Sequence, residues 1–420
     1  MKNINCMNCH GPHIERFLDL GYQPNGNHFP FADDFAAEPS FPFAMGVCTQ
    51  CWQVQIEEFP SVEFMFSNHP YITGLNMPVV DHFDQLVRNT LSKFKIAKNS
   101  LVVDIGANDG TLLDRFRSAG MRVLGIDPSK RTGEIAKKSG ITVCETFWDL
   151  DAAIAIRALN LMPDLITATA VFYHVADIHS FVRGLVATMH NRTIFITQCV
   201  YLKDVIEKLQ FDHFYHEHTM LHAIAPLKRL FEHYGLKIVD VDFYEIHGGS
   251  FVLYVAKEDS IYITSTKVDE AIAEEMRSGL QNIETYQSFS RKVENNRDAL
   301  CALLINLAGQ NKKIFALGAP LKGSTLLNYC GIGPDLVSIA TEINPFKIGR
   351  FTPGTHIPIV YEYSLEVQPD YYLVLSWNFL NFFVEKYSDY LRAGGRFIIP
   401  HPEVRVIDSS ILLESSRKMI

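Results

Sequence analysis

Residues 101–113 restrict this chain more than any other stretch. Leu101, Val102 and Val103 form a short apolar run bounded by turn residues, the pattern of a strand covered on both faces. Asp104 follows, then Gly106, Asn108 and Gly110 in a turn of small residues, then Thr111, Leu112 and Leu113 opening a helix. Glycine lets the backbone turn sharply and approach a ligand closely, and the helix that follows aims its N-terminal N–H groups at that ligand. The turn reads Gly-x-Asn-x-Gly, not the Gly-x-Gly-x-x-Gly of dinucleotide sites, so pyrophosphate fits poorly. A second strand over residues 123–127 ends in Asp127, a placement suited to hydrogen bonds with a ribose diol. Helical patterns over 104–116 and 127–138, strands over 164–168 and 193–198, and a closing antiparallel pair over 236–244 and 250–256 predict an α/β fold. Its sheet should be mostly parallel, with helices on both faces.

The turn and the spaced Asp127 together resemble the S-adenosylmethionine (SAM) site of class I methyltransferases; a plain βαβ turn without cofactor is the bland alternative. At 420 residues the chain exceeds one ordinary core. A net charge of -9 argues against nucleic acid as the main partner. No apolar run reaches the ~18 residues of a membrane span, and Met1 leads into Cys6 without an apolar leader, so no membrane partner and a cytoplasmic location are expected. A monomer is expected because no heptad or exposed apolar stripe stands out.

Four of the eight cysteines form two Cys-x-x-Cys knuckles, Cys6 with Cys9 and Cys48 with Cys51. Together they predict a closed tetrahedral Cys₄ site holding a structural Zn²⁺, which clips a module too small to build its own core. His10 and His13 are read as solvated rather than as ligands. Turns and short strands are expected between the knuckles, and a strand after Trp52. A bridging segment over 64–74 carries Tyr71, for interface packing or for lining the active site. A helix is expected over 77–94. The domain organisation read from these patterns is a Cys₄ module over 1–70, a SAM domain over 71–260, a helical connector over 261–307 and a C-terminal Rossmann-like α/β domain over 308–420.

Residues 211–222 hold the densest cluster of titratable side chains, including Tyr215, His216, Glu217, His218 and His222. His-Glu-x-x-His is absent, so a zincin helix does not fit. A second metal with mixed His and Glu ligands and an acid/base site beside the cofactor both remain open. In the second case an imidazole takes a proton, Glu217 orients it, and Tyr215 donates to a developing oxyanion. His174, after the strand at 164–168, is placed at the mouth of the cofactor pocket because ligands bind at the carboxyl ends of parallel strands. In the C-terminal domain Lys322 opens a helix and suits an anion. The loop after Asn344, with Lys347, Arg350 and His356, suits a diphosphate; solvated surface cations are the alternative. No Gly-x-Asn-x-Gly recurs there, so a second SAM is not expected.

The order of these motifs resembles the SAM-dependent C-methyltransferases of nucleotide-sugar biosynthesis, notably the C-3 methyltransferases that make branched deoxysugars. It runs Cys-x-x-Cys twice, Asp-Ile-Gly-x-Asn-Asp-Gly, Tyr-His-Glu-His, His-Gly-Gly-Ser, Lys-Gly-x-Thr-Leu-Leu-Asn, Arg-Phe-Thr-Pro-Gly-Thr-His and Gly-Gly-Arg-Phe-Ile-Ile-Pro, and covers residues 6 to 407. The resemblance implies SAM and Zn²⁺ as cofactors and a nucleoside-diphosphate 4-keto-6-deoxyhexose as substrate. It implies catalytic roles for His218, Tyr215, Glu217, His174 and Tyr71. Asp104, Gly106, Asn108, Gly110, Asp127 and Gln198 are assigned to SAM; Lys322, Asn328, Asn344, Lys347, Arg350 and His356 to the nucleotide sugar. Gln198, followed by Cys199, Val200 and Tyr201, departs from the family's usual acidic residue before an apolar-Pro-Tyr. A sugar O- or N-methyltransferase and a non-catalytic SAM and zinc scaffold are the competing functions.

Overall fold

The structure is a computed structural model that describes residues 4–67 and 69–412. The chain divides into two compact units. The first holds the residues up to Arg16, then Gly46–Asp204 and Glu217–Ile283; the second holds Phe17–Met45, Val205–His216 and the residues from Glu284 on. The division passes between His216 and Glu217, inside the titratable cluster.

The first unit is built on a seven-stranded sheet. Its strands are β1 (Leu101–Ile105), β2 (Arg122–Ile126), β3 (Val143–Cys144), β4 (Leu165–Thr169), β5 (Ile194–Val200), β6 (Leu236–Tyr244) and β7 (Ser250–Lys257). They lie in the order β6-β7-β5-β4-β1-β2-β3. Strands β1 to β5 pair in parallel, and β7 runs antiparallel to both β5 and β6. The carboxyl ends of β1, β2, β4 and β5 therefore share one edge, where open α/β sheets bind ligands. Every residue of β1 is buried, as its apolar run requires.

Helix α1 (Met77–Phe94) covers this sheet. Val79, Val80, Phe83, Leu86 and Val87 recur at helical spacing and are buried, the stripe that an amphipathic helix turns to its core. Pro78 opens it, and Lys95 closes it at φ 49. Helices α2 (Thr111–Ser118) and α3 (Lys130–Lys138) start later than the hydrophobic pattern suggests. Gly106, Asn108 and Gly110 sit at φ 73, 50 and 80, which keeps residues 106–110 out of a right-handed helix. The helical stretch at 267–307 is also two helices, Thr266–Arg277 and Ile283–Gly309. They are separated where Gly279 takes φ 79.

Between the knuckles, the expected turns and short strands are instead two long strands, Ile14–Pro24 and Ser40–Cys48. Their buried residues include Phe17, Leu18, Leu20, Phe43, Met45 and Val47. Strand Val54–Ile56 pairs antiparallel with Met220–Leu221, so the chain just after the second knuckle is tied to the chain just after His218.

The second unit carries a six-stranded sheet of β8 (Ile314–Leu317), β9 (Ala340–Glu342), β10 (Ile359–Tyr361), β11 (Tyr371–Val374), β12 (Arg396–Ile399) and β13 (Arg405–Ile407). The order is β10-β9-β8-β11-β12-β13, parallel except for β13. Helix α4 (Leu321–Cys330) follows β8 through Gly318 at φ 82. Phe315, Tyr372, Val374, Leu391 and Phe397 are among the residues of its core. Among the described residues, no helix is long and apolar enough to cross a membrane.

Candidate active site

The turn after β1 is tied to the end of β2. The backbone N–H groups of Gly106 and Ala107 both donate to the Ile126 carbonyl. Asp127 accepts from the Asn108 N–H at 2.8 Å and from the Ser129 N–H at 2.9 Å, one bond to each carboxylate oxygen. A carboxylate has about four lone-pair positions, so this leaves acceptor capacity for a diol. Asn108 Oδ1 accepts from the Thr73 N–H and hydroxyl, and its Nδ2 donates to the Tyr71 carbonyl. The bridging segment is thereby fastened to the turn.

Gly106 abuts the turn after β4: a Cβ there would run into Val171. Gly106→Ala combines that overlap with a left-handed backbone, and is expected to lose roughly 1–3 kcal/mol of stability, read from denaturant unfolding.

Asp104 is buried and accepts the Thr167 hydroxyl at 2.6 Å. Burial pushes its carboxyl up to about 7, against roughly 3.9 in an unfolded chain. Its contribution to stability is therefore full below about pH 4 and lost as pH rises through about 7. Asp104→Asn, which cannot ionise, should gain stability relative to the parent between pH 5 and pH 8, measured by denaturation at both.

The turn after β4 supplies the second half of the edge. Ala170 takes φ 56 and leads into the single turn Phe172–His174. The rings that follow form a column. Phe66 stacks on His174 with centroids 5.4 Å apart, and His174 stacks on His218 at 5.1 Å. Tyr173 meets the edge of His218 at 4.4 Å. His218 is 1% exposed. Burial depresses the His174 imidazole to about 3, so it is neutral at physiological pH. Its Nε2 is buried without a hydrogen-bond partner. An orphaned polar atom at this position is satisfied when a polar ligand atom arrives. Burial raises Tyr71 to about 12 and lifts Tyr173 well above the phenol range, so both keep their protons.

His218 is held by its neighbours in the chain. The Thr219 hydroxyl donates to the carbonyls of Tyr173 and Val175 at 3.2 and 2.9 Å. The Thr219 carbonyl accepts from Ile56. Glu217 Oε2 lies 3.1 Å from His69 Nε2. Gln198, on β5, is buried with Oε1 2.9 Å from His82 Nε2 of α1. His69 and Tyr173 belong to this edge although sequence reasoning did not single them out. Tyr173 precedes His174 in the chain, and that adjacency was the one available signal.

Tyr215 and the six residues assigned to the nucleotide sugar lie in the second unit. There Lys322 Nζ donates to Asn378, lies 3.9 Å from Asp212 and sits over the Trp377 ring; burial lowers it to about 8. Lys347 donates to the Ala319 carbonyl and pairs with Glu342, whose carboxylate also accepts from the Asn344 N–H. Arg350 donates to the Phe29 carbonyl, and His356 pairs with Glu38 while stacking on Phe35. Asn328 donates to the carbonyls of Ser324 and Pro353. The sequence groups these residues; the fold gives each one its own protein partner.

The four knuckle sulfurs lie within 4.8 Å of one another. Cys6 and Cys51 are 3.5 Å apart, Cys9 and Cys48 3.6 Å. Zn–S bonds of about 2.3 Å in a tetrahedron put sulfurs about 3.8 Å apart, so the cluster has the size of a zinc cage. The two knuckles share one backbone pattern despite different sequences. The N–H of Cys6 donates to Gly11 and that of His10 to Cys6; the N–H of Cys48 donates to Gln53 and that of Trp52 to Cys48. His10 and Trp52 occupy the same left-handed position at φ 60 and 65. His10 is exposed and stacks on His179.

Residues 6–66 match a putative zinc binding domain, 81–241 a methyltransferase domain, and 245–402 a C-methyltransferase C-terminal domain. The chain is 31% identical over 389 residues to the C-methyltransferase NovU of Streptomyces niveus, covering 92% of this chain and 93% of that protein. The chain belongs to the SAM-dependent C-methyltransferase family. An uncharacterized methyltransferase of Oceanobacillus iheyensis, OB1106, is 31% identical over 101 residues, covering 24% of this C-methyltransferase and 43% of that protein. Among solved structures, magnesium protoporphyrin IX methyltransferase from Synechocystis PCC 6803 with bound SAH is 17% identical with a TM-score of 0.34, covering 42% of this chain and 83% of that one. SAM is the methyl donor of this C-methyltransferase, and the Cys₄ cluster is its zinc site.

Proposed function

We propose that this enzyme methylates C3 of a nucleoside-diphosphate 4-keto-6-deoxyhexose through an enolate generated by His218. The observation that carries this reading is the buried face-to-face pair of His218 and His174, with Tyr173 at its edge, His174 lying on the turn after β4 that Gly106 abuts. A ketone at C4 acidifies the hydrogen on C3, and a base held out of water can remove it. His218 takes that proton on a ring nitrogen. His174, neutral, and Tyr71, protonated, are donors for the oxygen on which negative charge develops. When bound, SAM supplies an electrophilic methyl group, and Asp127 would hold its ribose. Holding base and substrate aligned lowers the barrier further.

The keto-sugar, Tyr215 as a further donor, and the cations of the second unit as nucleotide ligands are assigned on the resemblance to the family. The test is a panel of dTDP- and GDP-4-keto-6-deoxyhexoses in deuterated water. With S-adenosylhomocysteine, deuterium should enter at C3; with SAM, NMR should show a methyl group on a quaternary carbon. A methyl group on oxygen or nitrogen, or turnover without exchange, would overturn the reading.

A further inference from the structure

We propose that His69 is a positioning residue for methyl transfer: it holds the Glu217 carboxylate, and with it the chain that presents His218. This rests on His218 being the base. Glu217 precedes His218, and its side chain is almost fully buried, 4% exposed. A buried carboxylate needs a donor, and His69 Nε2, 3.1 Å away, is one. The tautomer follows from the other side of the ring. The Tyr71 N–H donates to His69 Nδ1 at 3.4 Å, so Nδ1 carries the lone pair and Nε2 the proton. His69 thus donates to Glu217 as a neutral ring, fixed by backbone on one side and carboxylate on the other.

The ring also closes the aromatic column. His69 stacks on Phe66 at 5.9 Å and 25°, and Phe66 continues onto His174 and His218. The pair is faced by Asp127 from the end of β2, by Tyr173 and His174 from the turn after β4, and by Tyr71 from its own segment.

The test compares His69→Ala with His69→Gln, whose amide restores an N–H donor at similar reach. Loss of a hydrogen bond to a charged group should lower kcat roughly 10–100-fold in His69→Ala. KM should hold at the parent value while kcat falls, because the loss is in positioning the base and not in binding. His69→Gln should recover most of the rate. A raised KM with kcat unchanged in His69→Ala, or no rescue by glutamine, overturns the proposal. A second arm needs no substrate. In the free enzyme labelled with ¹⁵N-histidine, one ring should be neutral with its proton on Nε2 and vanish in His69→Gln. Its downfield proton should move upfield in Glu217→Gln; a proton unmoved by that change also overturns the proposal. If His218 is not the base, C3 exchange survives in His218→Ala while the free-enzyme signature of His69 persists, so the two failures are told apart.

Discussion

His218→Ala is expected to lower methyl transfer by about 10²–10⁴-fold, the range a positioned general base contributes. Binding of SAM should stay close to the parent's, because the residues assigned to SAM on β1, β2 and the turn between them keep their own hydrogen bonds. C3 deuterium exchange should fall with the methylation rate, since both begin with the same proton. A second variant guards against trivial loss of fold. His218 is buried between His174 and Tyr173, so alanine leaves a void that the column can fill only by moving. His218→Asn keeps polarity and much of the volume but cannot act as a base near neutrality. Both variants should show one cooperative unfolding transition and both should lack exchange. Exchange at the parent rate in a folded His218→Asn protein would assign the base to another group of that edge.

How much of this was legible depends on the range of the interactions. The strand β1 is legible because Leu101, Val102 and Val103 announce burial locally, and the pair β6 and β7 because strand patterns flank the glycines at 248 and 249. The turn at 106–110 and the helix opening at Thr111 are legible in the small residues, whereas the wider helical pattern from 104 overruns them, because the left-handed backbone at 106, 108 and 110 is not a matter of spacing. The strands Ile14–Pro24 and Ser40–Cys48 contain Gly21, Pro24 and Pro42, which read as turns until neighbouring strands override them. Strands β3, β10 and β13, two or three residues long, are too short to show a period. Candidate site residues were legible where they sit in dense motifs. The partner of Glu217 was not: chain adjacency suggested that it orients an imidazole of its own cluster, whereas His69, 148 positions away, meets it only in the folded chain.

Removing the zinc should do more than loosen one module. Cys6, Cys48 and Cys51 are the buried members of the cluster at the knuckles, with Cys9 and Ile14 packed against them. There the metal cage stands where an apolar core would be, and Zn²⁺ in small structural sites supplies apparent binding energies of about 10–16 kcal/mol. Cys48→Ser is expected to bind no zinc tightly, where the parent binds one ion per chain by mass spectrometry. The consequence runs along the chain. After Cys51, Gln53 donates to the Leu221 carbonyl, Val54 and Gln55 pair with Leu221 and Met220, and the Ile56 N–H bonds to Thr219. Thr219 follows His218. A frayed second knuckle therefore releases the strand that pins the proposed base. Cys48→Ser should combine rapid proteolysis within residues 4–60 with loss of C3 exchange approaching that of His218→Ala, although every residue assigned to SAM is intact. A variant without zinc that resists proteolysis and exchanges C3 at the parent rate would show that the cage is not what holds His218 in place.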